Sequence, residues 1–154
     1  SVHLQPGDRP DEEERRKHEL ASIANWIDEN DETEKDIIIL GDMNIYTKEE
    51  LADVTPTGYL SLNDECRITN TLGAKDKKKG KPYDHVMYNT SFSANEIDLT
   101  YDLVVLDLVD LMKPFWTSSD PYPGDPYDHN TFRQYYSDHH PGVFKMIADD
   151  NDDD

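Results

Sequence analysis

Cysteine is almost missing from this chain: Cys66 stands alone among 154 residues, so no intrachain disulfide can form, and the redox compartment stays open. Long apolar runs are missing too. No stretch approaches the length that spans a bilayer, and no basic-then-apolar segment of the signal type is present, so a soluble chain is expected. Basic residues are scarce, 15 against 34 acidic ones, for a formal net charge of −19. Such a surface repels bare nucleic acid and anionic membrane unless metal ions or a local basic patch intervene. Solubility, adaptation to high salt and a divalent-metal requirement all accommodate it. No internal repeat is visible. The length suits one domain with a genuine core.

The chain is organised around Asp36-Ile37-Ile38-Ile39-Leu40-Gly41-Asp42-Met43-Asn44. Four consecutive large aliphatics predict a short strand buried on both faces, and Gly41 ends the apolar run. Asp42 and Asn44 lie two apart, so extended backbone points them the same way from the C-terminal end of the strand, where open α/β sheets place ligands. A carboxylate there can hold a metal or orient a base, and a carboxamide can hold a phosphate oxygen or a water. The alternative is an Asp-x-Asn turn whose side chains bond their own backbone.

Upstream, Ser1 to Leu4 reads as the end of a strand and Gln5-Pro6-Gly7-Asp8 as a turn. From Pro10 a helix is predicted, with acidic residues in its first turn and Leu20, Ile23, Ala24 and Ile27 as its apolar stripe. Asp11 with Arg15, Glu12 with Arg16 and Glu13 with Lys17 have the spacing of helical ion pairs. Strand, helix and strand make a βαβ-like unit. Thr47-Lys48-Glu49-Glu50 is a capping box opening a second helix that Thr55-Pro56 closes. Gly58 to Leu62 reads as a turn and short strand, and Asp64 to Thr71 fits no single class.

Lys75 to Lys81 holds five lysines between glycines and reads as a loop, either simply solvated or able to meet a phosphate backbone. Pro82 to Tyr88 alternates as a strand with Asp84, Val86 and Tyr88 on one face. Leu99 to Met112 is expected to form one or two strands, residues 114–130, with four prolines, a long loop, and Val143 to Ile147 a last strand. Residues 148–154 read as a disordered acidic tail, lacking the Gly and Glu of an EF-hand loop. Neither that tail nor Asp120 to Asp128 has a defensible calcium-ligand spacing.

Four polar clusters thus stand beside strands: His3, Asp42 with Asn44, Asp84, and Asp138 with His139. Two imidazoles and several carboxylates can deprotonate water, protonate a leaving oxygen and hold a divalent cation. Asp138 and His139 are adjacent and point to opposite sides, so His139 needs an orienting carboxylate from elsewhere, for which Asp84 is the candidate.

The order His3-Leu4, Gly41-Asp42-Met43-Asn44, Tyr83-Asp84-His85-Val86 and Ser137-Asp138-His139 with Pro141 resembles the endonuclease/exonuclease/phosphatase superfamily, the DNase I-like fold. The likeness runs from Ser1 to about Ile147 and implies a partial domain over residues 1–147, the C-terminal half of a four-layer α/β/β/α sandwich with a mixed sheet and flanking helices. The family's N-terminal half, with its Asn and Glu near the metal, has no counterpart here, so a truncated chain that binds metal poorly and is inactive alone is one expectation.

By the same resemblance, His139 is the imidazole that activates water, and Asp84 holds its tautomer. Asp138 and Asp42 are metal ligands for Mg²⁺ or Mn²⁺, and Asn44 and Asn70 are phosphate contacts. His3 is the second imidazole, donating to a phosphate oxygen. The implied function is metal-dependent hydrolysis of a phosphodiester, nucleic acid among the candidate substrates. A family phosphatase acting on phosphoinositide or sphingomyelin is an alternative. A non-catalytic interaction module that kept the fold is another.

Overall fold

The computed structural model describes residues 1–30, 36–71, 79–115 and 127–148. The chain is mixed α/β. Strands β1 (Val2–His3), β2 (Ile38–Asp42), β3 (Tyr59–Ser61) and β4 (Asp84–Asn89) form one sheet in the order β1-β2-β4-β3. β1 and β2 run parallel, joined through helix α1 (Pro10–Glu29), as the βαβ spacing predicts; the other pairings are antiparallel. Helix α2 (Lys48–Val54) follows β2, with Thr47 Oγ1 accepting from Glu50 N at 3.1 Å as its N-cap.

Alternation along β2 and β4 divides the sheet. Ile39 and Met87 face α1 and α2, where they join Leu20, Ala24, Ile27, Leu51, Val54 and Tyr59 in the main core. Asp42, Leu40 and Ile38 pair with Asp84, Val86 and Tyr88 on the other face. Leu40 is 40 % exposed, so β2 is not buried on both faces as its apolar run implies. A two-stranded sheet, β5 (Val104–Val105) with β6 (Gly142–Val143), completes the strands among the described residues.

Several expectations are corrected. Leu99 to Met112 yields only β5 before Asp107 caps helix α3 (Leu108–Met112), its carboxylate accepting from Val109 N and Asp110 N. Local hydrogen bonding to Asp107 outweighs the strand preference of the Leu and Val run. The last strand is shorter than Val143 to Ile147: β6 ends at Val143, and Met146 makes one further bridge to Ile97. The expected loop over residues 114–130 ends in helix α4 (His129–Tyr135), capped by Asp128, and its residues 116–126 lie outside the described residues. So do residues 72–78 of the lysine stretch and 149–154 of the tail. No helix among the described residues is long and apolar enough to cross a membrane.

The helical ion pairs also differ. Arg15 pairs with Glu19 and Lys17 with Asp53, while Arg16 turns inward and bonds Glu50 of α2. Gly41 ends the apolar run but lies within β2. It continues the strand with φ +143°, and a Cβ there would lie 2.0 Å from the Val2 carbonyl oxygen of β1. Gly41→Ala therefore strains the backbone and pushes β1, with His3, off the sheet. A loss of about 2–4 kcal/mol in urea unfolding is expected; a variant as stable as the parent would show that β1 is loosely held.

Candidate active site

Two rows of side chains build the site. The first follows sheet register: His3 of β1 stands opposite Asp42 of β2, which stands opposite Asp84 of β4. Residues directly opposite share a face, so one imidazole and two carboxylates line up at the end of the sheet. The second row comes from bridges outside the strands, where Asn70 pairs with His139 on one side and with Lys81 on the other. Backbone bonds lock it: Thr71 N donates to Asp138 O at 2.7 Å, His140 N to Thr69 O at 2.7 Å, and Asn70 and Lys81 exchange bonds at 2.9 and 2.7 Å.

The rows meet at His139. Its Nδ1 lies 2.8 Å from Asp84 Oδ2, and its Nε2 lies 2.7 Å from Asn70 Nδ2 and 3.5 Å from Asp42 Oδ2. A carboxylate on Nδ1 accepts a proton from it, which leaves Nε2 of the neutral ring as an acceptor for the Asn70 N–H. His3 Nε2 stands 3.6 Å from Asp42 Oδ2, with a side chain 72 % exposed. Asp138 Oδ2 is 3.5 Å from Asn70 Nδ2. The structure thus brings together His3, Asp42, Asp84, Asn70, Asp138 and His139 from separate segments.

Electrostatics follow from that crowding. The Asp84 hydrogen bond holds the His139 pKa above the ordinary imidazole value, partly opposed by burial and reinforced by the nearby Asp42 and Asp138 charges. Burial raises the Asp42 carboxyl, with the Asp84 charge adding to it, against the Asn44 N–H bond and the two imidazoles.

Asn44 is placed differently from its expectation. It adopts φ +52°, so the i, i+2 rule for extended backbone does not apply. Its backbone N donates to Asp42 Oδ1 at 3.0 Å, and its Nδ2 donates to Leu4 O at 3.0 Å. It is only 5 % exposed. The Asp-x-Asn turn and the polar site coexist, with Asn44 tying the end of β2 to the end of β1.

No three carboxylate, imidazole or thiolate groups among the described residues converge on a point that could hold a metal ion. Asp42 and Asp138 border the site on different partners, Asp42 Oδ2 at 3.5 Å from His139 Nε2 and Asp138 Oδ2 at 3.5 Å from Asn70 Nδ2.

Three supporting residues escaped the sequence reading. Asn63 is fully buried and clasps the 63–67 turn: its Oδ1 accepts from Arg67 N at 2.8 Å, and its Nδ2 donates to Asp84 O at 3.1 Å. Arg16, 1 % exposed, donates to Gln5 O and Gly7 O at 2.9 and 2.7 Å as well as to Glu50. It extends the α1 stripe by one i, i+4 step before Leu20, a signal present in the sequence. His85, also 1 % exposed, points away from the cleft, with Nδ1 2.9 Å from Ser61 Oγ and Nε2 buried without a partner among the described residues.

Burial pushes the His85 pKa down to about 4. The unfolded chain therefore takes up this proton first as pH falls from about 6.5, and stability is lost from there down to the folded value. Urea unfolding is expected to show about 2 kcal/mol less stability at pH 5 than at pH 7 from this residue. His85→Leu should remove most of that difference; an unchanged pH slope in the variant would assign it to other groups.

Compared with models of protein families, with curated proteins and with solved structures, the chain matches none.

Proposed function

We propose that this chain is a divalent-metal-dependent phosphodiesterase, most simply a nuclease, built as the C-terminal half of a four-layer α/β/β/α sandwich. One observation carries the reading: His139 has a carboxylate on Nδ1, a carboxamide on Nε2, and a second imidazole across Asp42. A ring so oriented takes a proton at Nε2, and the Asp84 charge stabilises the imidazolium that results.

The Asn70 N–H occupies the Nε2 lone pair in the free protein. An arriving phosphate draws that N–H onto a phosphoryl oxygen, which frees Nε2 for the attacking water. His3 faces the opposite side of Asp42 from His139 and donates to another phosphoryl oxygen. Asn44 acts as a positioning residue, fixing Asp42. Asp42 and Asp138 would hold the Mg²⁺ or Mn²⁺, which offsets charge built up on the phosphoryl group.

The test is nicking of plasmid DNA and release of nitrophenolate from a chromogenic phosphodiester, with Mg²⁺, with Mn²⁺ and with EDTA. Turnover that needs the metal supports the enzyme. The small donor set for a metal favours the second reading, a non-catalytic module that kept the fold, and silence under every metal would select it.

A further inference from the structure

The second row does not stop at the catalytic groups. Lys81 stands directly opposite Asn70, as Asn70 stands opposite His139, so the three residues share one face of a three-segment ribbon. Two strand spacings put the Lys81 backbone about 10 Å from that of His139. Gly80 allows the approach, since a Cβ there would lie 2.0 Å from Asn70 O.

Among the described residues the Lys81 ammonium has an aromatic neighbour and no carboxylate partner. In a chain of net charge −19, Lys17, Lys48 and Lys145 each pair with a carboxylate. Among the described residues no carboxylate lies within ion-pair distance of Lys81; its Nζ stands 5.3 Å from the Tyr46 ring centroid. Tyr46 packs edge-on against Tyr83 at 4.8 Å, and Tyr83 O accepts from Met43 N, next to Asp42, at 2.7 Å. A cation held over a ring beside a second half-buried ring is the pattern that takes a phosphate and its attached base.

We infer that Lys81, with Tyr46 and Tyr83, forms a second phosphate subsite beside the His139 centre, which takes a phosphate of the same oligonucleotide strand within about three linkages of the scissile one. This rests on the phosphodiesterase reading for the identity of the first subsite. A span of about 10 Å is about three phosphates along a stacked strand and fewer along a stretched one. The cleft of about 380 Å³ that Lys81 and Tyr46 line also carries Asp8, Glu13, Glu49 and the Arg16–Glu50 pair, so the contact is limited to one phosphate and is not a continuous basic track.

Binding of a fluorescent oligodeoxythymidylate, read by anisotropy in the His139→Ala background, tests the subsite without turnover. Adding Lys81→Gln is expected to weaken binding roughly tenfold, the size of one charge-assisted contact. It should also flatten the dependence of log K on log salt by about 0.7. Lys17→Gln, which removes a lysine paired on α1, is the control. Equal affinity and salt slope for the two lysine variants, or no binding by the parent, would overturn the subsite. Hydrolysis of the single-phosphate chromogenic diester by the otherwise unaltered chain tests the phosphodiesterase reading separately.

Discussion

Replacing His139 by Ala is expected to lower kcat for phosphodiester hydrolysis by about 10²–10⁴, the usual contribution of a positioned general base. Asp84→Asn should cost less than His139→Ala but leave a more telling trace. In the proposed reaction the base is the neutral ring, so the rate is expected to rise with pH as His139 loses its proton. Asp84 is the first cause of the raised His139 pKa, with a 2.8 Å contact to Nδ1. In Asp84→Asn the ascending limb moves to lower pH while the plateau falls, because the carboxamide neither stabilises the imidazolium nor enforces the tautomer. Rates measured from pH 5 to 9 for both proteins decide it. A limb in the same place in both would show that Asp84 does not act on His139.

Arg16→Met is expected to be the most destabilising single change, by about 3–5 kcal/mol. Arg16 and Glu50 are both buried, the guanidinium donating through Nε and Nη2 to Glu50 Oε1. Glu50 Oε2 accepts from Tyr46 N at 2.8 Å. Removing the cation leaves a carboxylate with no charge partner in the interior and frees the carbonyls of Gln5 and Gly7. The turn after His3 and the segment after Asn44 are tied to the same pair, so the damage reaches the site. Loss of several kcal/mol lowers Tm by roughly 10 °C in a chain of this size. Replacing both partners, Arg16→Met with Glu50→Leu, should recover much of the stability, since no buried charge then remains. A double variant no better than the single one would place the cost in the lost carbonyl contacts instead.

The site was legible in the sequence to the extent that polar residues punctuate strand ends. His3, Asp42 and Asp84 each fall at the end of an apolar or alternating run, and sheet register aligns the three. Asp84 does pair with His139, but the expected opposite directions of Asp138 and His139 do not hold, since both side chains reach Nδ2 of Asn70. Asn44 was misplaced because that alternation rule assumes extended backbone, and its φ is positive. Asn63 and Asn70 carry no periodic signal: they are buried polar residues in a segment without regular structure, specified by bonds to residues distant in sequence. Arg16 was read by charge as a surface helical pair, although its spacing from Leu20 set it on the buried stripe. In Leu99 to Met112 the composition spoke for strand and a single Asp107 cap decided for helix. Local hydrogen bonding decided the outcome at Asn44 and Asp107, and bonds to residues distant in sequence decided it at Arg16 and Asn63.

The most direct measurement of the central claim is chemical rescue. In the presence of Mg²⁺, the chain with His139→Gly is assayed on a chromogenic phosphodiester while imidazole is added. A folded and nearly inactive variant is expected, with hydrolysis restored in part as imidazole fills the space beside Asp84. A variant that hydrolyses the diester as fast as the parent would contradict it, because the proton would then leave the attacking water by a route that does not pass through His139.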